Sequence, residues 1–109
     1  MSLGEADMAF ARELFADIPD LNTRRMFGGM GLYSGQTIFA VMLSDGRLML
    51  KAPKGPFADH IAALGSTEWT YSRKNGKPSA MPYRTLPDAY LDDPAEACAL
   101  ARQALAALR

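Results

Sequence analysis

Residues 35–52, GQTIFAVMLSDGRLMLKA, hold two apolar runs joined by Ser44-Asp45-Gly46. From Ile38 to Leu43 every side chain is apolar. A strand built from Gln36 to Leu43 sets Ile38, Ala40 and Met42 on one face and Phe39, Val41 and Leu43 on the other, because successive side chains alternate across a sheet. A strand that is dry on both faces belongs in the middle of a sheet. Ser44-Asp45-Gly46 supplies a hairpin turn, with glycine to accept a positive φ. The returning strand, Arg47 to Lys51, is two-faced: Leu48 and Leu50 point one way, and Arg47, Met49 and Lys51 the other. The sheet therefore has one dry side and one mixed side.

Working outward toward the N-terminus, Ser34-Gly35 turns the chain and Leu32-Tyr33 reads as strand. Gly28, Gly29 and Gly31 supply a kink, a bulge or a close backbone approach, and Thr23 to Phe27 precedes them as a short strand. Residues 5–18 repeat apolar side chains at Met8, Ala11, Phe15 and Ile18, with Phe10 and Leu14 widening the stripe; this is an amphipathic helix ended by Pro19.

Toward the C-terminus, Pro56 opens a helix of about three turns that buries Phe57, Ile61 and Leu64 and is capped at Gly65. Thr67 to Ser72 alternates, with Trp69 and Tyr71 on one face. Asn75-Gly76 signals a hairpin, and Ala80 to Arg84 returns. A two-residue loop would set Trp69 opposite Pro82; a slip of one would set it beside Met81 or Tyr83. Pro82 lacks an amide donor, which puts its strand at a sheet edge. Asp92, Asp93 and Pro94 start a last helix whose stripe is Cys98, Ala101, Leu105 and Leu108. The order is α-β-β-β-α-β-β-α, an α+β fold of two layers with a mostly antiparallel five-stranded sheet, in a single domain over residues 1–109.

Composition narrows the function. Twelve cations balance twelve acids, which argues against a generic grip on nucleic-acid backbones and makes direct DNA binding by the chain alone unexpected. The balance is uneven along the chain: residues 21–84 carry nine cations against three acids, while both ends are acidic. Either these charges pair across the surface, or the middle forms a cationic sheet face for an anionic partner. No apolar run approaches the length of a membrane span, and the start MSLGEADMAF lacks the features of a secretory signal, so a cytoplasmic location is expected. One cysteine and one histidine leave neither a disulfide nor a zinc cluster to build, and no metal or cofactor is expected.

No catalytic residue stands out. Cys98 lies on an apolar helical stripe and reads as a buried thiol; His60 lies off its helix's apolar stripe; Asp92-Asp93 precedes a proline and reads as a helix cap. The glycines at 28, 29 and 31 match no dinucleotide or P-loop spacing. The candidate binding residues are Arg24, Arg25, Gly28, Gly29, Arg47, Lys51 and Tyr83. Arg24 and Arg25 are strand neighbours and point to opposite faces. One of them either pairs under the helices with Asp20, Asp45, Asp59 or Glu68, or joins Arg47 and Lys51 as a guanidinium fork for a carboxylate or phosphate beside the glycines. Trp69, Tyr71 and Tyr83 suit core packing or a stacking platform for single-stranded nucleic acid. The seven methionines fill the core or line an adaptable surface.

Arg25-Met26-Phe27-Gly28-Gly29, GLY at 31–33, FAVM at 39–42, LMLKA at 48–52, GKPSAMPY at 76–83 and Leu86-Pro87 before an alanine-rich helix together resemble the TfoX/Sxy N-terminal domain family, in order and over nearly the whole chain. The resemblance implies a small α+β domain of a secretion-chaperone-like type. It also implies a non-enzymatic interaction module, since the best-known members are two-domain competence regulators held to work with a cyclic-AMP receptor protein at promoters. The chain is expected to stand alone, with no second domain after Arg109, so the fold carries over more fully than the promoter role. Its expected partner is a protein, such as transcription machinery or a receptor-type regulator, with a homodimer as another way to seal the second sheet face. The alternative is a small anionic-ligand or enzymatic domain built on the Arg24/Arg25 and glycine region.

Overall fold

A computed structural model describes residues 4–26, 28–72 and 78–108. Six strands, β1 (Leu21–Met26), β2 (Gly29–Ser34), β3 (Thr37–Met42), β4 (Leu48–Lys51), β5 (Glu68–Ser72) and β6 (Pro78–Thr85), form one sheet in the order β1-β2-β3-β4-β6-β5. All of its neighbouring pairs are antiparallel. The helices are α1 (Glu5–Leu14), α2 (Pro56–Ala63) and α3 (Pro94–Ala107), with a 3-10 turn at Asp88–Tyr90. As the sequence requires, β3 is internal.

The sheet has six strands rather than five. Met26 pairs with Gly29, so the glycine segment is a chain reversal and not a kink within one strand; Gly28, at φ 77°, sits in that reversal. Gly29 is needed for space: a Cβ there would run into the Met42 carbonyl of β3. Phe27 lies outside the described residues.

A bulge corrects the face assignment of β3. Leu32 pairs with Ala40 but Tyr33 pairs with Ile38, so Phe39 is the extra residue. Two residues then oppose one, and the alternation slips beyond that point. Phe39 and Ala40 both join the helix-covered core with Met42, while Ile38 shares the opposite face with Val41 and Leu43. β4 alternates as read: Leu48 and Leu50 enter the core, and Met49 faces away.

Pro82 is not on an edge strand, since β6 lies between β4 and β5. A second bulge makes room for it. Glu68 pairs with Arg84 and Thr70 with Ala80, leaving Pro82 in the irregular stretch opposite Trp69, where β5 asks no amide of it. Its carbonyl still accepts from the Ala52 amide at 2.9 Å. The bulge also decides the register, bringing Trp69 beside Tyr83; Asn75 and Gly76 lie outside the described residues.

All three helices bury their stripes in one core. It holds Met8, Ala11 and Leu14 of α1, Phe57 and Ile61 of α2, and Ala97, Cys98, Ala101 and Leu105 of α3, against Met30, Leu32, Phe39 and Leu50 of the sheet. Phe15 meets Phe39 edge to face, with centroids 5.5 Å apart. α1 ends at Leu14, short of Pro19, but the following tight turns keep Phe15 and Ile18 in the core. Phe10 and Leu64, read as parts of buried stripes, are exposed instead. Asp93 caps α3 by accepting from the Glu96 amide at 3.2 Å, and Pro94 fills the first turn.

Candidate functional site

The sheet face turned away from the helices carries a second apolar cluster. Val41, Met49 and Tyr83 are buried there, with Met26, Ile38, Leu43, Trp69 and Met81 packed against them. No helical residue belongs to this cluster among the described residues. Strand registry lays out the face: Arg24 is opposite Gly31, Gly31 opposite Val41, Val41 opposite Met49, and Met49 opposite Thr85. Gly31 lets this face close in, because a side chain there would crowd Met26, Ile38 and Tyr33. Trp69 and Tyr83 meet edge to face at 6.0 Å.

A hollow of about 310 Å³ opens beside that pair. Its walls include Met26, Val41, Leu43, Trp69, Met81 and Tyr83, and Ser44, Asp45 and Arg47 of the β3–β4 turn stand at its polar end. This size is at the lower end of small-ligand sites and is ample for one bulky side chain of a partner.

The charged groups at the border are tied differently. Asp45 accepts from the Arg47 backbone amide at 3.1 Å and from Arg47 Nε at 2.8 Å. The amide bond is the chief cause that holds the Asp45 carboxyl below its usual range; slight burial opposes it, and the Arg47 guanidinium adds to it. Arg24 lies over the Tyr33 ring, 4.9 Å from its centroid. Lys51 pairs across the strands with Tyr83. Burial pushes the Tyr83 phenol above 10, with the Tyr33 phenol adding to the shift, so Tyr83 stays a neutral hydrogen-bond donor.

Of the residues singled out in the sequence, the structure brings Gly29, Arg47 and Tyr83 to the hollow and sets Arg24 and Lys51 elsewhere on the same face. Gly28 stays in the reversal beside it. Arg25 is on the helix side, where its guanidinium meets Glu5 at 3.5 Å with both side chains well exposed. The two arginines therefore do not form one fork. Neither is buried, and the carboxylate Arg25 finds is Glu5 rather than Asp20, Asp45, Asp59 or Glu68. Both stand on β1, an edge strand, where exposed cations discourage unwanted strand pairing.

The apolar walls, Met26, Val41, Leu43, Trp69 and Met81, are not among the candidate binding residues, and Trp69 and Met81 are the two whose place turns on strand register. Their signal was in the sequence, in the slipped register that sets Trp69 near Met81 and Tyr83, but the choice needed the bulge at Pro82. The side chain of Tyr71 lies outside the described residues.

Other chemistry-bearing groups lie apart. Cys98 is buried and donates its thiol to the Leu14 carbonyl at 3.4 Å. His60 is exposed on α2. Among the described residues no cluster of His, Cys, Asp and Glu could hold a metal ion, and no helix is long and apolar enough to cross a membrane. No curated protein matches the chain significantly. The segments that make the reversal at Gly28, the bulged central strand and the Pro82 strand all fall within residues 13–108, over which the model of the TfoX N-terminal domain matches, and the chain belongs to that family.

Proposed function

We propose that this chain is a non-enzymatic interaction module that docks another protein on its open sheet face. The observation that carries this reading is the second apolar cluster, centred on Val41, Met49 and Tyr83, which no helix covers among the described residues. A helix-covered face explains itself through the core it builds. An apolar face built from Met26, Met49, Met81 and Trp69, bordered by cations, needs a partner to dry it. Membership of the TfoX N-terminal domain family supports placing that partner in transcription or competence control, as a receptor-type regulator or a part of the transcription machinery, with the contact made to protein rather than to DNA.

The test is capture from the native lysate with the unaltered chain, with Met81→Glu on the open face and with Leu64→Ser on the exposed side of α2. A partner held by the unaltered chain and by Leu64→Ser, and lost with Met81→Glu, supports the reading. Equal capture by all three removes the open face from it.

A second reading has one observation in its favour: Arg47, Tyr83 and Gly29 border a single hollow, which gives a small anionic ligand a guanidinium and a neutral phenol. Saturable change in the emission of Trp69, the only tryptophan, on titration with small aryl carboxylates or inorganic phosphate supports it. A flat titration disposes of it.

A further inference from the structure

We propose that, when no partner is present, the open face is occupied by the outer side of α1 from a second copy, with Phe10 seated in the hollow beside Trp69. The inference rests on reading the open face as the docking face, and it names what competes for that face.

Three observations carry it. First, the described residues include two large apolar side chains that stand exposed, Phe10 (42 %) and Leu64 (38 %), and Phe10 is presented as a knob. It lies on the flank of α1, with buried Leu14 one turn on along the same face and exposed Ala6 and Ala9, too small to shield it, on its other side. Second, the charges match. Glu13, three residues on from Phe10, is exposed on the outer surface of the helix, and Asp7, three residues before it, is exposed on the flank beside Gly46 of its own chain. The receiving face carries Arg24 and Lys51, and at the polar end of the hollow Arg47 and Asp45 hold each other. Third, the alternative pairing of two copies is opposed: two open faces brought together would set those cations against their own kind.

The contact is heterologous, since knob and hollow are different surfaces. Each bound copy still offers a free knob and a free hollow, so association continues to rings or chains. One knob in one hollow is a small interface, which places it among weak, transient contacts. A protein partner with higher affinity would displace it, making self-association a cover for the docking face.

The design of knob and hollow on opposite surfaces permits a complementation test. Phe10→Ser removes the knob and keeps the hollow. Met81→Glu spoils the hollow and keeps the knob, and Arg47→Gln serves where Met81→Glu does not fold. Analytical ultracentrifugation of the unaltered chain, run to about 1 mM and at two salt concentrations, is expected to show growth in mass with concentration that weakens as salt screens the charges. Each variant alone is expected to need about tenfold more protein for the same association. Mixed together, the two variants are expected to give a 1:1 complex and nothing larger, with a shift in Trp69 emission that Phe10→Ser alone does not show.

A chain that stays monomeric to about 1 mM overturns the inference. So does association that both variants leave unchanged, or a mixture that forms no complex. None of these outcomes touches the capture experiment, which reads the docking of a foreign protein and is controlled by Leu64→Ser.

Discussion

The two faces of the sheet are built from similar residues and yet do different things. On the helix side, Met30, Met42 and Leu48 share one cross-strand row and Leu32, Ala40 and Leu50 the next, and all are sealed by α1, α2 and α3. On the other side Val41 and Met49 pair across β3 and β4 in the same way, but what lies over them is Met26, Trp69 and Met81, side chains of the sheet itself. The first arrangement removes apolar surface from water for good. The second shelters a few central atoms and leaves its outer layer half-exposed, the pattern expected of an interface core awaiting a partner.

The sharpest way to test that contrast is to cut one side chain from each face. Phe39 is fully buried under the helices and meets Phe15 edge to face; Phe39→Ala is expected to cost about 3–5 kcal/mol. Val41, two residues on and facing away, is nearly as buried, but Val41→Ala removes only two methyl groups from a site covered by partly exposed methionines, whose unbranched side chains can fill the gap, and is expected to cost about 1–2 kcal/mol. Chemical denaturation of both variants measures the pair. Equal losses would mean that the open face is as firmly packed as the core, and the contrast would fail.

Gly29→Ala probes the seam between the faces. The new Cβ meets a backbone oxygen of Met42, which cannot rotate away, so β2 and β3 must separate locally. Overpacking of this kind is expected to cost about 1–3 kcal/mol, and because Gly29 also borders the hollow, the change should reach the open face as well. The same denaturation experiment reads the first effect. The emission of Trp69 reads the second, and an unchanged spectrum would confine the disturbance to the helix side.

The strand pattern was legible wherever alternation ran undisturbed. Leu48, Met49 and Leu50 needed only the period of two, and the central place of β3 followed from its apolar run. What could not be read were the places where the period slips. An extra residue at Phe39 leaves no mark in a run where every side chain is apolar, so Ile38 and Phe39 exchanged faces unnoticed. Pro82 did leave a mark, but a proline is equally at home on an edge or in a bulge, and with the hairpin register open Trp69 and Met81 had no fixed place at the site. The glycine segment carried the same ambiguity between a kink and a reversal. Arg24 and Arg25 were rightly split between faces by alternation, yet nothing local to them pointed to Glu5, a partner brought by the packing of α1.

The smallest expected effect concerns Tyr83, whose phenol belongs to the open face and is only partly dry. Burial raises its pKa above 10, so the folded chain prefers the protonated ring more strongly than the unfolded chain does. The associated stability is fully present below pH 10, the ordinary value, and is lost as the pH rises from there through the raised folded value. An absorbance titration of tyrosinate should therefore show a step above the ordinary range, and Tyr83→Phe should remove it. The titration also measures how dry the face is. A partner seated on the hollow excludes more water from the phenol and must move the late step further upward. A ligand that binds only the helix layer leaves it where it was, so the shift of a single ring separates docking on this face from docking anywhere else.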